Sequence, residues 1–362
     1  MRHEKRPRAV WRDSIVRELA QAVIVLVAIV GTTALLLAVG GYAVDSGLAA
    51  LWRGSLGSWY AFTSATLVRA IPLLFTGVAV AVAFRAGVLN IGAEGQLLAG
   101  AAAAAAVAIS LNGFPAVIVV LLALAASAMG GLAWASIAAY LRSRFAVLEV
   151  ISTIMLNFVA LHGVSYLVRG PLQEPTHIYP QSSTINDAFH LPRVVGAGRL
   201  HSGLLLALGV SIVAGWVLRR TAAGFRLIAA GESPSAATSA GRIDVMATTT
   251  LTFLASGALA GLAGGVEVLG VTFALYENIS PGYGYTAIAV ALLARLDPWR
   301  IVATAVLFGG LEAGAGAMQR DAGVPSTLVT VIEAALILAV VAVGALRRRS
   351  SFPDAAATPI AA

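Results

Sequence analysis

Long apolar runs recur along this chain, and they constrain its fold more than any other feature. One of them extends from about Leu19 to Tyr42, and another covers about 116–140. A run of about 18 or more apolar residues is long enough to cross roughly 30 Å of hydrocarbon as a helix. Because backbone groups in lipid must find hydrogen-bond partners within their own segment, we expect helices here and not open strands. The sequence therefore predicts an all-α fold, a polytopic bundle of membrane helices.

The composition indicates that lipid is the main solvent of this chain. Hydrophobic residues make up 59% of the sequence and charged residues 11%, whereas a soluble domain carries roughly 25% charged residues. The strands of a membrane barrel would be alternating segments of about ten residues, and the sequence has no such pattern. The first apolar run is too long for the core of a cleaved signal peptide. We therefore expect it to remain as a membrane anchor.

Hydropathy and the positions of charged residues predict about ten transmembrane helices. A cytoplasmic N-terminal tail, 1–18, precedes a transmembrane domain, 19–346, and a cytoplasmic C-terminal tail, 347–362, follows it. The predicted spans are about 19–42, 64–84, 94–112, 116–140, 149–168, 203–218, 247–270, 285–296, 301–318 and 326–346. The eighth span is short, and the residues that lead into it are rich in glycine.

The distribution of basic residues predicts the orientation of the bundle. Cytoplasmic loops of membrane proteins carry an excess of lysine and arginine. If the N-terminus is cytoplasmic, 18 of the 24 basic residues fall on the cytoplasmic side of this chain. With ten spans, both termini are then cytoplasmic.

Two hydrophilic loops stand out between the spans. The external loop, 170–202, contains the turn-forming pairs Gly170-Pro171 and Glu174-Pro175. The cytoplasmic loop, 219–246, contains a helix signal, because Ser233 is a good cap for a helix that begins at Pro234 and ends at Gly241. This short helix is either a docking element for another protein or a simple connector, and its position alone favours neither.

Polar residues interrupt the beginning of the third span. Asn90, Glu94 and Gln96 alternate there with glycines at 87, 92 and 95. Such a pattern predicts a broken or re-entrant helix, which is tolerated at membrane depth only inside protein or beside a water-filled cavity. The approach to the eighth span has a similar glycine-rich opening. We therefore expect spans 2–5 and 7–10 to be two inverted repeats, with these two openings as counterparts.

A second polar group lies on the fifth span. Glu149, Thr153 and Asn157 are four residues apart, so they share one helix face. This face either lines a transport pathway or makes hydrogen bonds between helices. Among the other ionisable residues in or near the spans, Arg69, Glu312 and Glu333 lie near span ends, where they can reach the interface.

Several classes of function are excluded by what the sequence lacks. There is no cysteine, and the five histidines show no metal-ligand spacing. Lys5 is the only lysine, so no phosphate-binding loop of the P-loop type is present. The net charge of +7 is spread over short clusters between apolar runs, which does not suggest nucleic-acid binding. We therefore predict no catalytic residues and no bound metal or cofactor, so the chain is not expected to be an enzyme.

Four segments resemble one family of membrane proteins. They are GVLNIGAEGQLLAG (87–100), EVISTIMLN (149–157), SGALAGLAGG (256–265) and the stretch 282–315. The chain is similar in these segments to the permease subunits of nucleoside-type ABC importers, a group related to the branched-chain amino acid and ribose permeases. The resemblance implies a multi-pass subunit in the bacterial cytoplasmic (inner) membrane, where it would form the pathway of nucleoside import.

The resemblance also implies functional residues and partners. The translocation pathway would involve Asn90, Glu94, Gln96, Glu149, Thr153 and Asn157. The segment 231–241 is similar to the family's ATPase-docking segment, and the coupling residues would be Gly231, Glu232, Ser233, Pro234, Ala236, Ala237 and Gly241. The expected partners are a second homologous permease subunit, an ATP-binding subunit that uses the ATP, an extracytoplasmic substrate-binding protein and membrane lipid.

Three alternatives remain open on the residues alone. The first is an ABC permease for a sugar or an amino acid. The second is an ion-coupled secondary transporter, in which Glu94 and Glu267 would bind protons or sodium. The third is a membrane-embedded enzyme or a structural subunit, although the chain has no motif for lipid chemistry.

Overall fold

A computed structural model describes most of the chain. The described residues are 23–24, 27, 29–196, 198–241, 243–325, 327–328, 330–332, 334–335 and 338. The predicted tails, 1–18 and 347–362, and most of the predicted last span, 326–346, with Glu333, lie outside the described residues.

The described residues form an all-helical fold. Its helices are α1 (Ile29–Val39), α2 (Val44–Ser55), α3 (Trp59–Arg85), α4 (Ala93–Ser110), α5 (Ala116–Phe145), α6 (Glu149–Arg169), α7 (Gly203–Arg220), α8 (Ala222–Glu232), α9 (Pro234–Gly241), α10 (Val245–Thr272), α11 (Tyr283–Leu293) and α12 (Pro298–Asp321). A π-helical turn, Phe62–Thr66, lies within α3, and another, Val268–Thr272, ends α10. Within the described ranges there are isolated β-bridges but no β-strands.

The membrane spans agree with the prediction from hydropathy. Seven helices, α3 to α7, α10 and α12, are long and apolar enough to cross a membrane, and the apolar helices α1 and α11 are shorter. Seven of the ten predicted spans coincide with these long helices, two fall on the shorter helices α1 and α11, and the tenth lies mostly outside the described part of the chain. The prediction of a polytopic helix bundle is therefore confirmed.

Local sequence signals explain where several helices begin and end. The Thr221 hydroxyl accepts a hydrogen bond from the Gly224 N–H at the beginning of α8, at 3.1 Å. Asp244 caps α10 in the same way, with 2.9 Å between its carboxylate and the Ala247 nitrogen. Such caps satisfy N–H groups that have no partner within the helix. At the end of α5, Ala146 adopts a left-handed backbone (φ 52°), which stops the helix.

Residues 55–313 form one compact unit, with α10 at its centre. This helix packs against α3, α4 and α5. Small residues allow the close approach, since a Cβ atom added to Gly131 of α5 would lie 2.2 Å from the Gly257 carbonyl oxygen of α10. In membranes, helices associate largely through such close backbone packing. Small residues of α5 and α10 therefore lie at the centre of this unit.

The other compact unit comprises the described residues up to Gly54 and from Gly314 onward. Here α1 packs on α2, because the fully buried Leu37 side chain lies against Gly47. The C-terminal half of α12 meets α2 at Gly314, where an added Cβ would lie 2.7 Å from the Leu51 carbonyl oxygen.

The hydrophilic loop 170–202 packs on the segment that joins α10 to α11. Backbone hydrogen bonds tie the two together, including Ser182 N–H to the Leu275 carbonyl at 2.7 Å and Ile185 N–H to the Phe273 carbonyl at 2.8 Å. At the margin of the loop, Glu277 accepts a hydrogen bond from Arg169 at 2.6 Å. This bond lowers the pKa of the Glu277 carboxyl to about 2, so the pair stays charged at neutral pH.

Candidate functional site

The irregular segment between α3 and α4 is built around the Asn90 side chain. Its amide nitrogen donates to the Gln96 side-chain oxygen at 2.9 Å and to the Ser256 hydroxyl at 2.8 Å. Its oxygen accepts the Gly92 N–H and the Gln96 amide, each at 3.0 Å. Asn90 is 0% exposed, and this bonding satisfies both ends of its amide. The segment is therefore not helical, and the buried Asn90 amide still has all its hydrogen-bond partners.

Asn157 holds the same segment from α6. Its side-chain oxygen accepts the Gly95 N–H at 2.8 Å, and its amide donates to the Ile91 carbonyl at 2.9 Å. Thr153, one turn earlier, packs against Gly92, where an added Cβ would lie 3.0 Å from the threonine Cβ. The face shared by Thr153 and Asn157 thus makes contacts between helices around the beginning of α4.

Glu94 connects the beginnings of two helices. It lies in the first turn of α4, and its carboxylate accepts the Gly284 N–H in the first turn of α11, at 2.7 Å. The Ser280 hydroxyl lies within hydrogen-bonding reach of the same carboxylate. A Cβ added to Gly284 would lie only 2.2 Å from the Glu94 nitrogen, so the two backbones are in direct contact. We call this contact of Glu94 with Ser280 and Gly284 the α4–α11 junction.

The α4–α11 junction brings together the two glycine-rich openings that the sequence predicted as counterparts. Two helices meet there with their N-terminal ends, each of which carries partial positive charge. A carboxylate is the side chain best suited to that position, because it accepts N–H groups and balances the charge of both ends. The contact is buried, and it combines close backbone packing with one hydrogen bond to the Glu94 carboxylate.

Glu149 is not part of this cluster. It begins α6, and its carboxylate lies 3.6 Å from the Arg142 side chain in the last turn of α5. The structure therefore brings together Asn90, Glu94, Gln96, Thr153 and Asn157 around the beginning of α4, and it leaves Glu149 at the connection between α5 and α6.

The hydrophilic loop 219–246 contains two helices, α8 and α9. The predicted helix from Pro234 to Gly241 is confirmed as α9, and Ser233 before it has the extended backbone typical of a capping residue. Most of the predicted coupling residues are exposed, whereas Ala237 is buried. The exposed members are Glu232, Ser233, Pro234 and Ala236. These residues can meet a partner protein.

Gly231 connects this helix pair to the irregular segment. A Cβ added to Gly231 would lie 2.1 Å from the Arg85 carbonyl oxygen and 2.9 Å from the Gly87 nitrogen. Gly87 has a φ of +75°, a backbone conformation that other residues rarely adopt. Gly231 of α8 is therefore in direct contact with the short segment that contains Gly87 and Asn90.

Two members of the site were not singled out from the sequence. Ser256 bonds to Asn90 and donates to the Ala79 carbonyl at 2.7 Å, and Ser280 reaches Glu94 and caps α11. Ser256 lies in a stretch of small residues, and Ser280 precedes the second glycine-rich opening. The only sequence signal for these two serines is a hydroxyl group among small residues, and it does not indicate which side chain the hydroxyl bonds to. Within the described ranges, no group of three His, Asp or Glu side chains could hold a metal ion.

Comparisons with known proteins find permease components of transport systems as relatives of this chain. A family model described as the branched-chain amino acid transport system, permease component, matches residues 62–341. The chain is 38% identical over 340 residues to the guanosine ABC transporter permease protein NupP of Bacillus subtilis, covering 92% of this chain and 97% of that protein.

Two further relatives match over shorter lengths. The glucose ABC transporter permease protein TsgB13 of Haloferax volcanii is 38% identical and covers 75% of this chain and 74% of its own length. The nucleoside ABC transporter permease protein NupB of Lactococcus lactis is 31% identical, with 74% of this chain and 75% of that protein covered. No solved structure matches the chain with significance.

Proposed function

The chain belongs to the permease family of branched-chain amino acid transport systems, and on this premise we propose that it forms the translocation pathway of a nucleoside importer. It is a multi-pass membrane subunit of an ABC transporter, a transport subunit and not an enzyme. Membership of the family implies association with an ATPase and with a substrate-binding protein.

The α4–α11 junction is the observation that carries the proposal. Broken helices whose N-terminal ends meet inside the bundle are a recurring way to build a substrate pathway in transporters. Glu94 closes this contact through Gly284, and the segment that precedes α4 touches Gly231 of the cytoplasmic helix pair. A partner that moves α8 and α9 therefore acts on the junction over a short distance. This arrangement suits a pathway opened and closed from the cytoplasmic side.

Nucleosides are the cargo that the relatives favour. The relative that matches over nearly the whole chain is named for guanosine, and another is named for nucleosides. The relative named for glucose has the same identity over a smaller share of both chains, so a sugar is the second candidate.

The further components of the importer follow from the proposed mechanism. A second, homologous permease subunit completes the pathway, and ATP is bound and hydrolysed by the ATPase, which docks on α8 and α9. The substrate-binding protein delivers the nucleoside at the external end, where the loop 170–202 lies in the orientation predicted from charge. Both termini are cytoplasmic in that orientation.

Deletion of the chain tests the proposed cargo. Uptake of tritiated guanosine, adenosine, cytidine, uridine, glucose and leucine is measured in wild-type cells, in cells lacking the chain, and in complemented cells. We expect uptake of one or more nucleosides to fall sharply and to recover on complementation, because the proposed translocation pathway runs through this chain. Loss of glucose uptake with unchanged nucleoside uptake would contradict the proposal.

A substitution at Gly231 tests the coupling route. In Gly231→Val the added side chain collides with the Arg85 carbonyl, so α8 separates from the end of α3. We expect the complex to assemble and hydrolyse ATP, while nucleoside uptake per ATP falls by about tenfold or more, as expected for a coupling energy of 1–3 kcal/mol. Ala223→Val, at an exposed position of the same helix, is the matched control and should behave like the wild type. Equal coupling in the two variants would exclude this route.

A further inference from the structure

A buried carboxylate without a donor lies near the end of α10. Glu267 is 6% exposed and immediately precedes the π-helical turn Val268–Thr272. Among the described residues, no side chain or backbone group makes a hydrogen bond or ion pair with its carboxylate. Two basic side chains act on it electrostatically, Arg199 and Arg69, and the Arg69 guanidinium lies 3.7 Å from Glu312. Because a buried carboxylate is costly without hydrogen-bond donors, a group from outside the protein is expected to supply them.

A buried donor without an acceptor lies beside it. The His201 ring is 1% exposed, and its Nδ1 accepts the Gly203 N–H at 3.3 Å. Burial, reinforced by the nearby Arg199, lowers the pKa of His201 to about 4, so the imidazole is neutral at neutral pH. With Nδ1 as acceptor, the proton is on Nε2. This Nε2 atom has no hydrogen-bond partner in the described part of the chain.

The His201 ring contacts the part of α10 that contains Glu267. The His201 ring packs on Gly270, where an added Cβ would lie 2.7 Å from Nε2. Gly270 follows Glu267 by three residues, so the two residues lie within one turn of each other on α10. π-helical turns of this kind are frequent at functional sites. The donor at His201 therefore packs on α10 within one turn of the residue that carries the acceptor, Glu267, and each group lacks a partner among the described residues.

Aromatic side chains complete the surroundings. The phenol groups of Tyr276 and Tyr283 lie within electrostatic range of the Glu267 carboxylate. Tyr283 directly precedes Gly284, so this group of residues adjoins the α4–α11 junction. Flat aromatic rings provide surfaces on which a planar heterocycle can stack.

We propose that Glu267 and His201 form a recognition site for a guanine-type nucleobase inside the permease. Guanine has two neighbouring N–H donors, at N1 and N2, beside the O6 acceptor. A carboxylate matches the two donors, and the His201 Nε2–H matches O6. Adenine has an acceptor at N1 and a donor at N6, so its edge would face Glu267 with a lone pair. The inference rests on the proposed nucleoside cargo and names the part of the nucleoside that is recognised.

Access to the site requires the bundle to open. The His201 Nε2 atom is shielded from solvent in this conformation. Opening of the α4–α11 junction would move Tyr283 together with Gly284 and expose the site on that side. The site is thus expected to bind nucleoside transiently, as the substrate passes from the binding protein through the bundle.

Direct binding to the permease complex tests the proposal. The probes are tritiated guanosine, inosine and adenosine, and equilibrium binding is measured on the purified permease–ATPase complex without its substrate-binding protein. We expect Glu267→Gln to weaken guanosine binding by about tenfold or more and adenosine binding much less, since it replaces an acceptor of two N–H groups. His201→Asn retains an acceptor for the Gly203 N–H and removes the Nε2–H, so it should weaken guanosine and inosine alike.

Controls separate this proposal from the proposed cargo. Asp45→Asn removes an exposed carboxylate at the beginning of α2 and should bind all three probes like the wild type. If Glu267→Gln does not yield folded complex, His201→Asn decides alone. The proposal is overturned if the wild-type complex binds no guanosine, or if the variants bind it as the wild type does. Nucleoside uptake by whole cells would persist in either case, so the proposed cargo would stand.

Discussion

Replacement of Gly261 by valine is expected to remove most of the folded protein from the membrane. Gly261 lies in α10 where this helix crosses α5, and an added Cβ would lie 2.3 Å from the Ser127 carbonyl oxygen and 2.9 Å from the Gly131 Cα. The colliding atoms belong to the backbone, so no side-chain rotation relieves the contact. Overpacking a core costs about 1–3 kcal/mol even where side chains can adjust. Here we expect the upper end of that range or more, because α10 packs against three other helices.

The measurement is the yield of monodisperse protein after detergent extraction, together with its melting temperature. Gly209→Val is the matched control, since no atom lies within 4 Å of a Cβ added to Gly209 on α7. That variant should match the wild type in both measurements. Equal yield and melting temperature for Gly261→Val and Gly209→Val would show that the backbones of α10 and α5 do not pack closely at Gly261.

Replacement of Glu94 by alanine is expected to abolish most transport while the protein remains folded. The variant leaves the Gly284 N–H without its acceptor and removes the charge between two helix N-termini. A buried donor without a partner costs about 1–3 kcal/mol, which corresponds to roughly a five- to 150-fold change in the equilibrium between the closed and the open junction. Uptake of labelled nucleoside should therefore fall by about tenfold or more, because a junction that does not close cannot alternate between its open and closed states.

Two variants make this result specific. Glu94→Gln retains an oxygen that can accept the Gly284 N–H but carries no charge, so its uptake should lie between those of the wild type and Glu94→Ala. Asp45→Asn removes an exposed carboxylate and should transport normally. Uptake is divided by the amount of protein in the membrane, determined by immunoblot. Normal uptake by Glu94→Ala at a normal amount of protein would mean that the junction has no essential part in transport.

The fold class and the membrane spans could be predicted because they depend on local properties. The length of an apolar run decides whether a helix can cross the membrane, and this is why the span from 203 to 218 was predicted correctly, whereas the predicted span near 285 is the shorter apolar helix α11. The helix from Pro234 to Gly241 was predicted for the same reason, since its cap and its glycine end are adjacent in sequence.

The contacts of the site could be predicted only in part. The glycine-broken beginning of α4 indicated that Glu94 is unusual, but its partner Gly284 is 190 residues further along the chain. Asn90 likewise finds Ser256 at a separation of 166 residues. Helical spacing placed Glu149 with Thr153 and Asn157, yet the Glu149 carboxylate pairs with Arg142 of the preceding helix. Spacing gives the face of a helix, whereas the neighbour on that face depends on how the helices pack.

The two residues of the proposed nucleobase site were even less predictable from the sequence, because their surroundings depend on how the helices pack. A lone histidine in sequence is most often structural, and His201 has no sequence neighbour that suggests a ligand. Its unpaired Nε2 atom results from packing on Gly203 and Gly270, two glycines of different helices. Glu267 was noticed as an ionisable residue in a span, but its lack of a donor became visible only with its surroundings.

The energy source that drives uptake shows most directly whether this subunit transmits ATP-driven movement to the α4–α11 junction. The complete importer, with its substrate-binding protein, is reconstituted in proteoliposomes, and accumulation of tritiated guanosine is followed with ATP, with a non-hydrolysable analogue, and with proton or sodium gradients. Accumulation should require hydrolysable ATP, should not respond to either gradient, and should be lost with Glu94→Ala. Accumulation driven by an ion gradient in the absence of ATP would contradict this account and identify an ion-coupled transporter.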